Sequence, residues 1–217
     1  MTHSLIFGAS GFLGQSVVKE LLKKDIKVTA VTRAVDPDNT ERFNSQVNWV
    51  EADLYNSKEW QHLLEDVDVV IDLVGIYTED PEKGITFDRV IYQSAKAIAD
   101  EVAKSDVSRF IYVSVDLSNE NNPKDYLKAK RESENYLTQQ SFETTIFRPG
   151  LMYGPLKPST VKLAEKILKK LDENSPSWSS RPLSVETVAK AIALVVSEGS
   201  KHSIYEIDII DGMIKDK

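Results

Sequence analysis

Two groups of residues in this 217-residue chain have the types and spacing to do chemistry. The first is Gly8-Ala9-Ser10-Gly11-Phe12-Leu13-Gly14. It follows the apolar run Leu5-Ile6-Phe7 and precedes Val17, Val18, Leu21 and Leu22 at helical spacing. A strand, a glycine turn and an amphipathic helix in that order build an anion cradle, and the expected ligand is a dinucleotide. Gly8 allows the tight turn, Gly11 lets the backbone approach a pyrophosphate with no Cβ between, and Gly14 lets helix and strand pack closely. The spacing is G-x-x-G-x-x-G rather than G-x-G-x-x-G. The second group is Tyr126 and Lys130, which share one face of a helix at i and i+4. An ammonium beside a phenol lowers the phenol's pKa, so that it gives or takes a proton near neutral pH.

The elements that must position these groups alternate regularly. β-rich runs fall at Leu5-Ile6-Phe7, Lys27–Thr32, Val47–Glu51, 67–74, 109–115 and 144–147, with a last one at 203–209. Ser57 is placed to cap a helix through Trp60, Leu63 and Leu64, and long helices are expected over 87–104 and 126–140. Strands alternating with helices at this rhythm predict a parallel sheet wound on both sides. Residues 1–150 read as the dinucleotide-binding core. Residues 151–217, broken by Pro155, Pro158, Pro176 and Pro182, read as a small C-terminal substrate-lobe segment packed on it in one structural unit. That segment carries a basic helix over 161–171, then an amphipathic one using Val185, Val188, Ala189, Ile192 and Val196.

Composition narrows the function classes. Hydrophobic residues make up 41% and charged residues 28%, which suits a soluble globular chain. A net charge of −7 argues against a nucleic-acid or anionic-membrane partner. The absence of cysteine excludes disulfides, thiolate zinc sites and thiol nucleophiles. His3, His62 and His202 stand too far apart for a metal centre to be expected. The longest apolar run, 67–76, holds two aspartates and is too short to span a bilayer. With a first strand starting almost at Met1, no leader is expected and the chain reads as cytoplasmic, a monomer or homodimer acting on a small molecule.

Four stretches together resemble the extended and atypical branch of the short-chain dehydrogenase/reductase superfamily. They are Gly8 to Gly14, Ala52-Asp53-Leu54, Tyr126-Leu-Lys-Ala-Lys130, and Arg148-Pro-Gly-Leu-Met-Tyr-Gly-Pro155. The stretch from Arg181 to Ala189 also looks like the segment that closes the small substrate lobe in that branch. Asp72-Leu-Val-Gly75 and Tyr112-Val-Ser-Val-Asp116 look closest to the group holding the dinucleotide-binding accessory subunit of mitochondrial complex I and the accessory proteins of ubiquinone biosynthesis. The resemblance implies an α/β, Rossmann-like doubly wound parallel sheet. It implies a dinucleotide held by Gly8, Ser10, Gly11, Phe12, Leu13, Gly14, Val74, Gly75 and Pro149. It makes Tyr126 the acid/base and Lys130 both its tuner and a contact for the nicotinamide ribose.

Asp53 carries over as the adenine contact, with Leu54 against the ring, or else simply starts a turn. Asp72 either faces the nicotinamide ribose or caps a neighbouring loop. Arg33 lies nineteen residues past Gly14, where an acid would favour NAD. A guanidinium there suits the 2′-phosphate of NADP, with Ser10 as a second donor, although Asp36 could restore NAD preference. One departure stands out: Val115 occupies the slot of the third catalytic member, and Ser114 substitutes only after a register shift. The sequence therefore reads as an NADP-binding oxidoreductase or epimerase acting on a small carbonyl or hydroxyl substrate. The alternative is a non-catalytic NADP-binding sensor or assembly factor.

Overall fold

The computed structural model describes residues 1–35 and 45–215. Asp36 lies outside them. Strand β1 (His3–Phe7) is buried along its whole length. Leu5 and Phe7 enter the hydrophobic core on one face of the sheet and Ile6 the core on the other. A strand covered on both faces must be apolar on both, and that is the character of a parallel sheet. Helix α1 (Gly14–Leu22) follows and buries Val17, Val18 and Leu21.

Next come β2 (Lys27–Thr32), β3 (Val47–Glu51), β4 (Val69–Asp72), β5 (Arg109–Val113) and β6 (Glu143–Arg148). With β9 (Ile204–Glu206) they form a seven-stranded sheet in the order β3-β2-β1-β4-β5-β6-β9, every neighbouring pair parallel. The doubly wound Rossmann-like fold expected from the sequence is the fold observed.

Three elements differ from expectation. Where Ser57 was expected to cap a helix, there are two 3-10 turns, Ser57–Glu59 and Gln61–Leu64. Trp60 between them is fully buried, edge-on to Phe7 at 4.9 Å, and its Nε1 donates to the Leu54 carbonyl at 3.0 Å. Anchoring that indole favours two tight turns over one continuous helix. The helix expected over 87–104 begins as a π-helical segment, Asp88–Gln93, and becomes α2 (Ser94–Val102). At the junction the Ser94 hydroxyl donates to the Val90 and Ile91 carbonyls, competing with the backbone ladder. Helix α3 (Lys124–Leu137) then links β5 to β6.

After β6 the chain leaves the sheet. Strand β7 (Met152–Tyr153) pairs with β8 (Leu183–Ser184), and between them lie α4 (Pro158–Leu168) and a 3-10 segment, Pro176–Ser180. Helix α5 (Val185–Glu198) starts at Ser184, whose hydroxyl accepts from the Thr187 N–H at 3.0 Å, and packs against α1.

The third difference is at the end. The strand expected over 203–209 stops at Glu206 and continues as helix α6 (Ile207–Lys215). Ile207 and Ile210 are buried at helical spacing. Asp208 and Asp211, also three apart, both pair with the buried Arg181 guanidinium, Asp211 at 2.6 Å. Removing that cation leaves Asp211, which is only 13% exposed, with Lys215 alone as its ion-pair partner. Arg181→Met is expected to cost roughly 3 kcal/mol, the lower end for breaking a buried pair because Asp208 stays wet. Urea unfolding of the two proteins measures it; an unchanged midpoint contradicts the anchoring role.

Candidate functional site

The order of the sheet reverses between β1 and β4, and in a doubly wound sheet the crevice outside the strand ends at that point is where ligands bind. Gly8 ends β1 there with φ +83°, a conformation that favours glycine. A Cβ on Gly8 would lie 2.9 Å from the Leu73 carbonyl carbon at the end of β4. Gly14 is buried, and a Cβ on it would sit 2.3 Å from the Gly8 oxygen and 2.5 Å from the Ala9 oxygen. Gly11 is different: it is exposed, and the one atom its Cβ would crowd is the Gly8 oxygen at 3.1 Å. Thus Gly8 and Gly14 serve packing, while Gly11 leaves an open cradle at the start of α1. Among the described residues no side chain caps that helix, and no acid stands in its first turn, so its positive end can face an anion. The cradle fits the pyrophosphate of a dinucleotide.

The rim of the cradle is built from both halves of the chain. Leu13 is buried in the core below, and Phe12 leans on the same core. The Lys157 ammonium stands 5.2 Å from the Phe12 ring, a neighbour that sequence reading did not anticipate. Ser10 Oγ lies 3.4 Å from Thr32 Oγ1, which places it beside the end of β2 and the exposed Arg33. Glu51, also missed, accepts from the Val35 N–H at 3.2 Å and holds that loop.

Asp53 is exposed, but one of its oxygens accepts from the Tyr55 N–H at 3.0 Å, so the carboxylate starts a turn. Leu54 is half-buried against the core beneath. Tyr55 donates to the Arg89 carbonyl, and the Arg89 guanidinium lies 4.5 Å over the Tyr55 ring. That clasp ties the Asp53 turn to the π-helical segment, and neither residue signals it in the sequence.

On the other side of the switch point, Asp72, Val74, Gly75 and Lys130 come together. Asp72 Oδ1 accepts from the Val74 N–H at 2.9 Å, while Oδ2 is buried without a partner among the described residues. Asp72 thus caps the loop after β4, one of the two roles expected for it. Burial pushes its carboxyl up to about 6, against the pull of the Val74 N–H and of Lys130. Lys130 is buried, donates to the Val113 carbonyl at 2.7 Å and lies 4.8 Å over the Tyr112 ring. Burial lowers it to about 8, although Asp72 and Glu134 oppose the shift. A Cβ on exposed Gly75 would stand 3.8 Å from the Lys130 ammonium, which therefore lies close beneath that loop.

Tyr126 departs from expectation. Its ring packs edge-on against Tyr77 at 5.3 Å and Phe87 at 5.4 Å. Burial, with a smaller contribution from Tyr77, raises the phenol to about 12, where a lysine-tuned phenol would be lowered. The reason is geometric: the Lys130 ammonium is directed at the Val113 carbonyl rather than at the phenol. Ser114 is also turned inward, its hydroxyl buried and without a partner among the described residues. Its N–H donates to Phe147 at 2.7 Å, prolonging the pairing of β5 with β6. Val115 is 8% exposed. Pro149 is buried, and its carbonyl accepts from the Asp116 N–H at 2.9 Å.

Beyond Asp116, at the ends of β5, β6 and β9, lies a polar cavity of about 490 Å³ lined by Asp116, Ser118, Arg148, Ser179, Glu206 and Asp208. Arg148 is held there by Glu134 and Glu206. Among the described residues no group of three His, Cys, Asp or Glu could hold a metal, and no helix is long and apolar enough to cross a membrane.

A glycine cradle at the switch point of this sheet defines the class: a Rossmann-like dinucleotide-binding fold. A family model described as NAD(P)H-binding matches residues 8–198, and the chain belongs to that family. The mitochondrial NADH-ubiquinone oxidoreductase 40 kDa subunit of Neurospora crassa is 31% identical over 192 residues, covering 86% of this chain and 50% of that protein. The ceramide reductase of Caulobacter vibrioides is 30% identical over 158 residues, covering 73% and 49%. The chain thus spans about half the length of these relatives.

Solved structures share the fold. A Bacillus halodurans protein described as an NAD-dependent epimerase/dehydratase superposes with a TM-score of 0.74 at 21% identity over the whole of both chains. The yeast methylglyoxal/isovaleraldehyde reductase complexed with NADPH gives 0.69 at 20% identity, covering 94% of this chain and 78% of that one.

Proposed function

We propose that this chain is an NADP(H)-dependent oxidoreductase or epimerase acting on a small carbonyl or hydroxyl substrate, with a cytoplasmic location. The observation that carries the reading is the open cradle at Gly11, joined across the switch point to Lys130 beneath Gly75. Gly8, Ser10, Gly11, Phe12, Leu13 and Gly14 hold the pyrophosphate, and Arg33 takes the 2′-phosphate. Asp53 and Leu54 flank the adenine. Val74, Gly75, Lys130 and Pro149 flank the nicotinamide end. When bound, the nicotinamide supplies or accepts hydride. Tyr126 holds the proton: a phenol raised to about 12 stays protonated at working pH and serves as the donor to a developing alkoxide. The polar cavity beyond Asp116 offers the substrate room.

The preference for NADP is tested by titrating both cofactors into wild type and Arg33→Asp. Loss of a charge-assisted contact costs about 1.5–3 kcal/mol, so NADPH affinity is expected to fall at least tenfold in the variant. Equal affinities of wild type for the two cofactors contradict the assignment.

Cofactor affinity also carries a pH dependence. The Lys130 ammonium is charged below its pKa of about 8 and neutral above it, so NADPH binding weakens as pH rises through that value. Titrations of wild type and Lys130→Met between pH 6.5 and 9.5, values chosen to bracket roughly 8, read this directly. The same slope in both proteins removes Lys130 from the site.

A second reading is favoured by one observation. The closed-off Ser114 hydroxyl, with Val115 in the expected donor slot, suits a protein that holds NADP as a sensor or assembly factor without turnover. The 40 kDa subunit relative is named as part of a larger oxidoreductase, which supports a place within a protein assembly.

A further inference from the structure

Helix α4 is arranged unlike the other helices. Among its residues only Ala164 is buried, and the helix rests on β7. Lys162 and Lys166 in α4, and Lys169 and Lys170 in the turn that follows it, are all exposed, and at 100° per residue the two helical lysines fall on the outward arc opposite Ala164. Lys162 and Lys166 stand at i and i+4, a like-charge pair that weakens a helix. None of the four forms an ion pair among the described residues. Several other lysines do find partners: Lys23 pairs with Glu20, Lys96 with Asp100, Lys104 with Glu101, Lys128 with Glu132 and Lys215 with Asp211. Lys162 and Lys166 thus weaken their own helix and, with Lys169 and Lys170, gain no ion-pair partner among the described residues. Leucines frame them, with Leu163 at the edge of the lysine arc 47% exposed and Leu156 just before the helix 46% exposed.

We propose that this face of α4 docks on an anionic phospholipid surface. The chain as a whole is acidic, and its net charge alone argues against such a partner. The local distribution decides otherwise, because beyond about 10 Å the remaining charges are screened at 0.1 M salt. A cluster of lysines flanked by exposed leucines matches a plane of anionic headgroups over acyl chains. The outward arc carries no arginine fork or aromatic ring with which to read nucleic-acid bases. It also carries no pocket or aromatic anchor of the kind that centres a protein interface. This proposal stands independently of the cofactor assignment.

Sedimentation of the full chain with phosphatidylcholine vesicles, with and without phosphatidylglycerol, tests it. Binding is expected only to the anionic vesicles, with release at about 1 M salt, where the Debye length is roughly 3 Å. Each lysine at such a surface strengthens binding about fivefold, so K162Q/K166Q/K169Q/K170Q together should weaken it by ~100-fold or more. Lys157 is left in place because of its contact with Phe12, so unchanged NADPH affinity and circular dichroism show that the variant is intact. Leu163→Ser should weaken binding less. No binding of wild type to anionic vesicles, or equal binding by the intact quadruple variant, overturns the proposal. Binding to a polyanion such as heparin but not to vesicles overturns it too.

Discussion

Gly11→Val is expected to abolish dinucleotide binding while the protein stays folded, and Gly14→Val is expected to lose the fold itself. The same substitution three residues apart separates the two roles of the glycine loop. At Gly11 the new Cβ meets a single atom, the Gly8 oxygen at 3.1 Å, on an exposed loop that can give by a few tenths of an ångström. Its branched side chain then fills the space where phosphate oxygens meet the backbone. Loss of two charge-assisted hydrogen bonds at about 1.5–3 kcal/mol each corresponds to a fall in affinity of roughly 100-fold or more. At Gly14 the Cβ would come within 2.6 Å of three backbone atoms in a buried turn. Overpacking of that severity costs 3 kcal/mol or more, on the order of the upper range for core insertions. NADPH titration and thermal unfolding of both variants separate the outcomes. Equal stability of the two variants contradicts the packing argument, and normal binding by Gly11→Val places the phosphate site elsewhere.

Tyr126→Phe is expected to remove turnover by 10²-fold or more, on the order of the loss of a general acid, with little change in cofactor affinity. Only the hydroxyl is deleted, and the ring contacts with Tyr77 and Phe87 remain. Lys130→Met should weaken both binding and turnover, because the ammonium lies close beneath Gly75, where the nicotinamide end is proposed to sit. Val115→Ser is the informative gain-of-function variant. If it supplies the missing donor to the substrate carbonyl, weak activity rises by roughly 10²-fold. NADPH oxidation against a panel of small aldehydes and ketones measures all three. Turnover by Tyr126→Phe at the wild-type rate removes the phenol from the mechanism. No turnover in wild type or in Val115→Ser, with NADPH still bound, leaves the sensor or assembly reading in its place.

The glycine loop was legible because each of its signals is local. The apolar run, the three glycines and the helical repeat of Val17, Val18 and Leu21 lie within one short stretch, and backbone sterics alone assign most of their roles. What the sequence hid was decided by contacts across the chain. The isoleucines at 204, 207, 209 and 210 suit either a strand or a helix; the buried Arg181, in another element, sets Asp208 and Asp211 on one helical face. The spacing of Tyr126 and Lys130 predicts a tuned pair. In the fold the ammonium finds the Val113 carbonyl, and the phenol is enclosed by Tyr77 and Phe87 from the segment after β4. The sign of a pKa shift depends on which neighbour arrives, and spacing along a helix does not fix that. Asp72 shows the limit most simply: its buried place in β4 was readable, but only the fold shows that it accepts from the Val74 N–H.

Titration of NADPH and NADH into the wild-type protein at pH 7 tests the central claim most directly. The cradle at Gly11 and the buried ammonium beside Gly75 call for saturable one-to-one binding, tighter for NADPH, read by calorimetry or by cofactor fluorescence. Failure of both dinucleotides to bind contradicts it.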